Sequence, residues 1–357
     1  MFGTEIEGFT AESLETEVGI RRYKQYVKEL GSDNPYYSLE LLKSNEVNQK
    51  LLCFYYSSFN GLEALMPIQL RKILIHGIDT GYYDMSSPYG YNGPLFCKDA
   101  DESTILEFWK ALDVWYRKNK VVSEFVRFNL EGNYAHYNGT AFHTLSNVRG
   151  NISDLDVFWR HLRPKIRNHF RTAEKEGLVF EQHHQNIPII KIEHFYQLYI
   201  GTMDRRLADK SFYHKLSYFV DFYKNNPDKV AIGLVYLHGV PISSELFLLS
   251  SNTMFSYLGG TNSDFFHLKS NEFLKIKAIQ WANGFGLHYY MIGGGRSDGD
   301  SLYMYKKKFF PFDTDVAFYT GRKVVNEEVY SELMLLNRSH DIKCDIKSGY
   351  FPQYREK

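Results

Sequence analysis

Apolar positions recur along this chain with two different periods, and the switches between them mark its elements. Residues 102–119 carry Ile105, Phe108, Leu112 and Trp115 at intervals of three or four, which predicts an amphipathic helix. Residues 11–30 also follow helical spacing, and DNPYYSLELLKS after them offers a cap at Asp33 or Ser38 and a second short helix. Strand-like runs come next. LLCFYYSS and EALMPIQLRKI flank Asn60-Gly61, a dipeptide that favours a tight hairpin. VVSEFVRFNL, after the helix at 102–119, predicts a further strand, so the first half reads helix, helix, hairpin, loop, helix, strand.

The second half opens at Asp154 with a helix-rich stretch through HLRPKIRNHFRTAEKEG, interrupted at Pro164 and stopped at Gly177. VFEQHH predicts a strand. Residues 195–223 read as two helices broken near Leu207 to Ser211, and KVAIGLVYL, ISSELFLLS and FSYLGGT as an antiparallel meander. HLKSNEFLKIKAIQWANGFG gives a capped helix ending at Gly284 and Gly286. It leads into residues 286–312, where the buried-strand run Leu287 to Ile292 ends in Gly293, Gly294 and Gly295. Three glycines permit positive φ and leave room for another backbone or a ligand. Asp300 or Ser301 can then cap a short helix that carries Tyr305, Lys306, Lys307 and Lys308, the alternative being a tight turn followed by a solvated lysine run.

Length and charge narrow the picture. With 357 residues the chain exceeds one typical core, and two domains, 1–150 and 151–357, are expected. Lys plus Arg and Asp plus Glu are 42 each, which argues against attachment to nucleic acid through bulk charge; DNA is not an expected partner. Cys53, Cys97 and Cys344 are too far apart for a metal spacing and, being three, make no even disulfide set, which suits a reducing compartment. The His183-His184 pair has no carboxylate or cysteine at ligand spacing, so no metal site is expected. The first ten residues lack a basic and an apolar region, and no run of about 18 apolar residues follows. A cytoplasmic protein without an integral membrane segment is the expectation.

Candidate chemistry falls in a few places. DMSSPYGYNGPLF, residues 84–96, reads either as a surface turn or as a pocket wall in which Tyr89 and Tyr91 stack on substrate. Arg127 lies in an apolar strand, where a guanidinium requires a carboxylate partner or a ligand anion. Arg205, Arg206, Lys210 and Tyr213 cluster at a helix break. Glu245 is a candidate base or a partner for one of the arginines. Tyr257 and Arg296, on either side of the last long helix, complete the substrate-binding candidates. The basic run from Arg160 to Lys175 is either a solvated helix face or a track for phosphate or RNA.

Taken together, SPYGYNGP, VVSEFVRFN, KIRNHFRTAEKEGL, LYIGTMDRR, FSYLGGTNSDF, IKAIQWANGFGLHYYMIGGG and DSLYMYKKKFF resemble the FemAB-like branch of the Gcn5-related acyltransferase superfamily. These stretches span most of residues 80–312. The resemblance implies an α+β fold of tandem acyltransferase-like domains, each a mixed, mostly antiparallel sheet flanked by helices. It implies a transferase that forms an amide on an amine acceptor, such as a peptidoglycan precursor, a nucleotide sugar or another cell-envelope acceptor, with no tightly bound cofactor.

The family's aromatic-lysine pair falls on Tyr305-Lys306, and by analogy Lys306 stabilises the oxyanion of the attacked ester or thioester. Its acceptor-phosphate region falls on Arg205, Arg206 and Lys210, near Tyr213. The donor is an aminoacyl-tRNA or an acyl-CoA. HLKSNEF, at the position of the usual glycine-rich pyrophosphate loop, contains no glycine, which shifts weight toward tRNA. The rival class is a non-catalytic protein that holds a sugar or peptide on the same fold.

Overall fold

A strand, not a helix, begins the fold: Phe9–Ser13 form β1, and helix α1 is confined to Glu17–Glu29. Thr16 sets that start, its hydroxyl accepting from Gly19 N at 3.1 Å. This computed structural model describes residues 7–43, 48–59, 61–337 and 349–356. The chain separates into two units, Met1–Thr144 with Phe318–Lys357, and Leu145–Ala317.

In the first unit, α2 (Leu39–Leu42) precedes β2 (Gln49–Ser58), β3 (Gly61–Ile75) and β4 (Ile78–Ser86). β2 and β3 pair antiparallel with Ser58 opposite Gly61, as the hairpin pattern predicts; Asn60 lies outside the described residues, as does Cys344. A two-residue strand β5 (Leu95–Phe96) sits on β3, and α3 (Glu102–Lys118) then crosses over to β6 (Val121–Arg127), which runs parallel to β4. The stripe expected for α3 is the one buried: Phe108, Trp109, Leu112, Trp115 and Tyr116 pack on Phe54, Met66, Ile68 and Met85 of the sheet. Each such large side chain contributes roughly 1.5–3 kcal/mol.

The chain enters the second unit within β7 (Thr140–Asn151). It continues through α4 (Leu155–His161), α5 (Pro164–Lys175), β8 (Val179–His184), α6 (Ile189–Arg206) and α7 (Leu216–Asn225). Pro164 starts α5, where its missing N–H costs nothing, and Leu207 ends α6 in the left-handed region at φ 48°. The meander β9 (Val230–Leu237), β10 (Val240–Leu249) and β11 (Thr253–Thr261) follows. α8 (Ser270–Gly284) crosses to β12 (Tyr289–Gly293), parallel to β11, and α9 (Ser301–Lys307) closes the unit. Within it the strand order is β7, β12, β11, β10, β9, β8. Both units therefore use one plan, an antiparallel meander followed by a helical crossover to a parallel strand, which gives the α+β tandem arrangement.

The two halves are not divided as chain order suggests. β13 (Val316–Val324) returns to the first unit and pairs with β6 from Thr320–Arg127 to Val324–Ser123. α10 (Glu327–Asn337) follows it, burying Val329, Tyr330 and Leu333 with Ile73, Val122, Phe351 and Tyr354. β13, α10 and the segment carrying Phe351 and Tyr354, placed with the second half by element order, thus complete the core of the first. The edge of β6 requires a partner strand, and the one that serves is nearly 200 residues distant in sequence.

Candidate functional site

β11 and β12 stay paired for only three residues, Thr253–Phe255 against Tyr289–Met291. β11 then follows β10 to Thr261, while β12 follows β7. A cleft of about 460 Å³ lies against the far end of β11, between α6, α8 and α9. Gly260 makes the near wall possible: a Cβ there would strike the Leu198 carbonyl of α6.

The cleft floor is a buried ion pair. Lys275 Nζ of α8 donates to both carboxylate oxygens of Glu245 on β10 at 2.9 Å, with side chains only 7% and 6% exposed. Ser256 also donates to Glu245, and the Tyr290 hydroxyl lies 3.4 Å from both charged groups. Burial, reinforced by Glu245, pushes the Tyr290 phenol well up, so it stays a neutral donor. Glu245 is thus the partner of a cation, and that cation is Lys275 rather than an arginine.

Above this floor stands α9. Asp300 caps it, accepting from Tyr303 N and Arg296 N at 2.8 Å, and those donors hold its carboxyl below the usual range. The glycine triplet serves the chain's own packing. Gly293 adopts φ 84°, Gly294 faces Ser146 O and Gly295 makes room for the Asp300 carboxylate. The Gly294 carbonyl accepts from Lys306 Nζ at 2.6 Å, fixing the amine in the cleft. Burial, and then the neighbouring Lys275, lower Lys306 to about 8, so it carries its proton at neutral pH but releases it readily. Tyr305 Oη accepts from Asn271 Nδ2 at 2.8 Å, and burial followed by Glu272 keeps this phenol protonated. The next two lysines differ: Lys307 is tied to Asp315 at 2.7 Å and to the Asp313 carbonyl at 2.6 Å, and Lys308 is exposed.

Residues 160–307 match the family model described as an acetyltransferase (GNAT) domain. The second unit has the GNAT fold. No curated protein sequence gives a match. Among solved structures, FemX is similar over 80% of this chain and 90% of its own, at 12% identity and a TM-score of 0.59. The C-terminal domain of a putative lysylphosphatidylglycerol synthetase from Agrobacterium fabrum is similar over 89% and 96%, at 13% identity and 0.59. A tandem GNAT protein from the clavulanic acid biosynthesis pathway is similar over 88% and 98%, at 8% identity and 0.51. At such identities the likeness is one of fold, and it extends the tandem GNAT arrangement over both units.

Of the residues singled out in the sequence, Lys306, Tyr305, Glu245, Arg205 and Arg206 line the cleft of the GNAT domain. Arg205 donates to Thr261 O at 3.0 Å and lies over the Phe266 ring at 5.0 Å. Lys210, Tyr213, Tyr257 and Arg296 lie outside the cleft lining; Lys210 and Arg296 are exposed, and Tyr213 bonds Asp204. The basic run on α5 is partly structural, because Arg167 donates to the carbonyls of Trp159, Arg160 and Leu162.

Sequence reasoning passed over Lys275 and a rim pair, His169 Nδ1 and Glu272 Oε1, 3.1 Å apart. A signal for Lys275 existed. It sits among Phe273, Leu274 and Ile276, and a lysine in a helix apolar on most sides must find a buried partner. His169 had none, since it meets Glu272 only through the packing of α5 on α8.

The remaining candidates belong to the first unit. Tyr91 packs edge-on against Tyr36 and Phe318, whereas Tyr89 is 64% exposed. The Arg127 side chain donates to Ser87 O at 2.9 Å and lies over Phe125 at 4.8 Å. Among the described residues it forms no ion pair.

Proposed function

We propose that this chain transfers an acyl group from an acyl-CoA thioester to a primary amine, on a small-molecule or cell-envelope acceptor. The observation that carries this reading is the Lys306 ammonium, anchored on the Gly294 carbonyl inside the cleft where β11 and β12 part. The donor assignment follows from the start of α8. A glycine is absent there, but Lys269 itself adopts the left-handed conformation at φ 60°, and as N-cap its side chain makes no capping hydrogen bond. The first N–H groups of α8 are therefore left for an anion, with Arg205, Arg206 and Lys269 lining the same cleft. Ser244 and Ser270, also on the lining, have buried hydroxyls without protein partners among the described residues. These features fit a pyrophosphate and favour the thioester over a tRNA ester.

The amine attacks the thioester carbon to form a tetrahedral oxyanion, which the Lys306 ammonium stabilises. His169, oriented through Nδ1 by Glu272, takes the proton from the attacking nitrogen. The C–S bond then breaks and the thiolate leaves to be protonated, with no covalent enzyme intermediate. The test combines the purified protein with a panel of acyl-CoA donors and amine acceptors, including nucleotide amino sugars and peptidoglycan precursors. Thiol release and product mass are followed, with charged tRNA as a parallel donor. Thiol release coupled to amide formation is expected. Amide formed only from charged tRNA would overturn the donor assignment, and acceptor binding without transfer would overturn the enzyme reading.

A further inference from the structure

The second unit holds another cavity, of about 450 Å³, between the end of β7, helix α4 and the segment that follows α9. Among the described residues it shares none with the lining of the cleft. Its walls are aromatic. The Phe310 ring lies flat on Gly150 of β7, where a Cβ would come within 2.1 Å of it, and meets the Phe158 ring of α4 at 5.3 Å. Phe309 is buried beside them, and the exposed Phe312 forms the rim, packed at 5.1 Å against the His161 ring. These rings also reach toward the cleft. Phe309 packs on Tyr305 at 5.7 Å, and Phe310 lies 6.4 Å from the ring of Tyr290, whose hydroxyl touches the Glu245–Lys275 pair. An occupant of the cavity therefore rests on side chains that support the cleft.

Two carboxylates on the lining give the cavity its sign. Asp154 Oδ1 accepts from Val157 N at 2.9 Å, and Asp313 Oδ1 accepts from Asn151 N at 2.8 Å. The backbone thus fixes each through one oxygen, and neither forms an ion pair among the described residues. Lys307 does not supply one: its ammonium bonds the Asp313 carbonyl and pairs with Asp315. At the rim, Arg163 lies over Phe312 at 6.0 Å, so this ring already meets one cation. Carboxylates without a counter-ion, beside rings whose faces attract positive charge, are complementary to a cation with an apolar body. An inorganic cation has no such surface to bury against the rings.

We infer that this cavity binds an organic ammonium ion, with Asp154 and Asp313 supplying the charge and Phe158, Phe310 and Phe312 the apolar walls. A primary amine and a quaternary ammonium share this chemistry. Rings hold the quaternary ion best, and carboxylates the N–H donors of the amine. The site is separate from the residues assigned to acyl transfer and stands without that assignment.

Calorimetry and thermal shift of the full chain at constant ionic strength test this, with choline, ethanolamine, sodium chloride and dimethylbutanol, the uncharged isostere of choline, as probes. Wild type is compared with Asp154→Asn, Asp313→Asn, the double variant, Phe312→Ser and Lys306→Met. Asparagine keeps an oxygen for the backbone N–H and serves equally as a helix cap, so these variants remove charge and leave the frame. Wild type should bind an ammonium probe and neither dimethylbutanol nor sodium. Each single Asp variant should weaken binding about threefold and the double variant about tenfold. Phe312 is 70% exposed, so Phe312→Ser should melt as wild type does while losing about threefold in affinity. Lys306→Met, in the cleft, should bind as wild type does. Choline binding tighter than ethanolamine identifies a quaternary occupant, and ethanolamine binding as tightly or tighter identifies a primary amine. If the double variant does not fold, the single variants and Phe312→Ser carry the same comparison. Absence of any ammonium response in wild type, an equal response to dimethylbutanol, or full affinity in the folded Asp variants would overturn the inference.

Discussion

Lys306 illustrates how one side chain acquires chemistry from its surroundings. In sequence it is one of three consecutive lysines; in the structure Lys307 is neutralised by Asp315, Lys308 is solvated, and Lys306 is half-buried near Lys275. Lys306→Met should lower single-turnover amide formation by about 10²–10³ without loss of fold. The role proposed for Lys306 needs the ammonium form, so the rate should fall as pH rises through about 8. Replacement by Arg should move that limb upward in a pH–rate profile.

The stability sign is opposite to that of an ordinary ion pair. Its folded pKa is below the unfolded one, so the burial cost is fully present below about pH 8 and is relieved as pH rises toward 10.5. Lys306→Met should therefore melt above wild type at pH 7, and the difference should shrink by pH 10 in denaturation scans. His169→Gln should reduce the rate at neutral pH by about 10²–10⁴ with KM for the donor little changed, measured under steady-state conditions.

At the scale of elements, α8 joins the cleft to the core. It buries Phe273, Leu274, Ile276 and Ile279 against the sheet, inserts Lys275 beneath the cleft and begins on the cleft lining at Lys269. Lys275→Met leaves Glu245 buried without its cation and should cost about 3–5 kcal/mol. The double variant Lys275→Met, Glu245→Leu should recover most of that loss in urea titrations. The helix itself was legible from its apolar run. The conformation of Lys269 was not, because glycine is the expected residue at positive φ and a lysine occupies it here.

At the scale of the whole molecule, the same meander-and-crossover plan appears twice, and its repetition was legible from the order of elements. The return of β13 and α10 to the first unit was not. Tyr330 of α10 is fully buried against Phe351 and Tyr354, so Tyr330→Ala should destabilise the first unit by about 3–5 kcal/mol. Hydrogen exchange should show the loss in β3 and β6 and leave β9 and β10 protected.

Sequence by itself determined the periodic elements, the burial of the α3 stripe, the hairpin of β2 with β3 and the segment that carries Tyr305 and Lys306. Those features follow from local spacing and turn chemistry, which act over a few residues. Tertiary structure decided the rest: that Glu245 is bound by Lys275, that His169 faces Glu272, that the glycine triplet accommodates Ser146 and Asp300, and that Arg127 has no carboxylate partner among the described residues. Each depends on which side chains converge from elements distant in sequence. Buried charge is then stabilised or left unbalanced according to what those elements bring within a few ångströms.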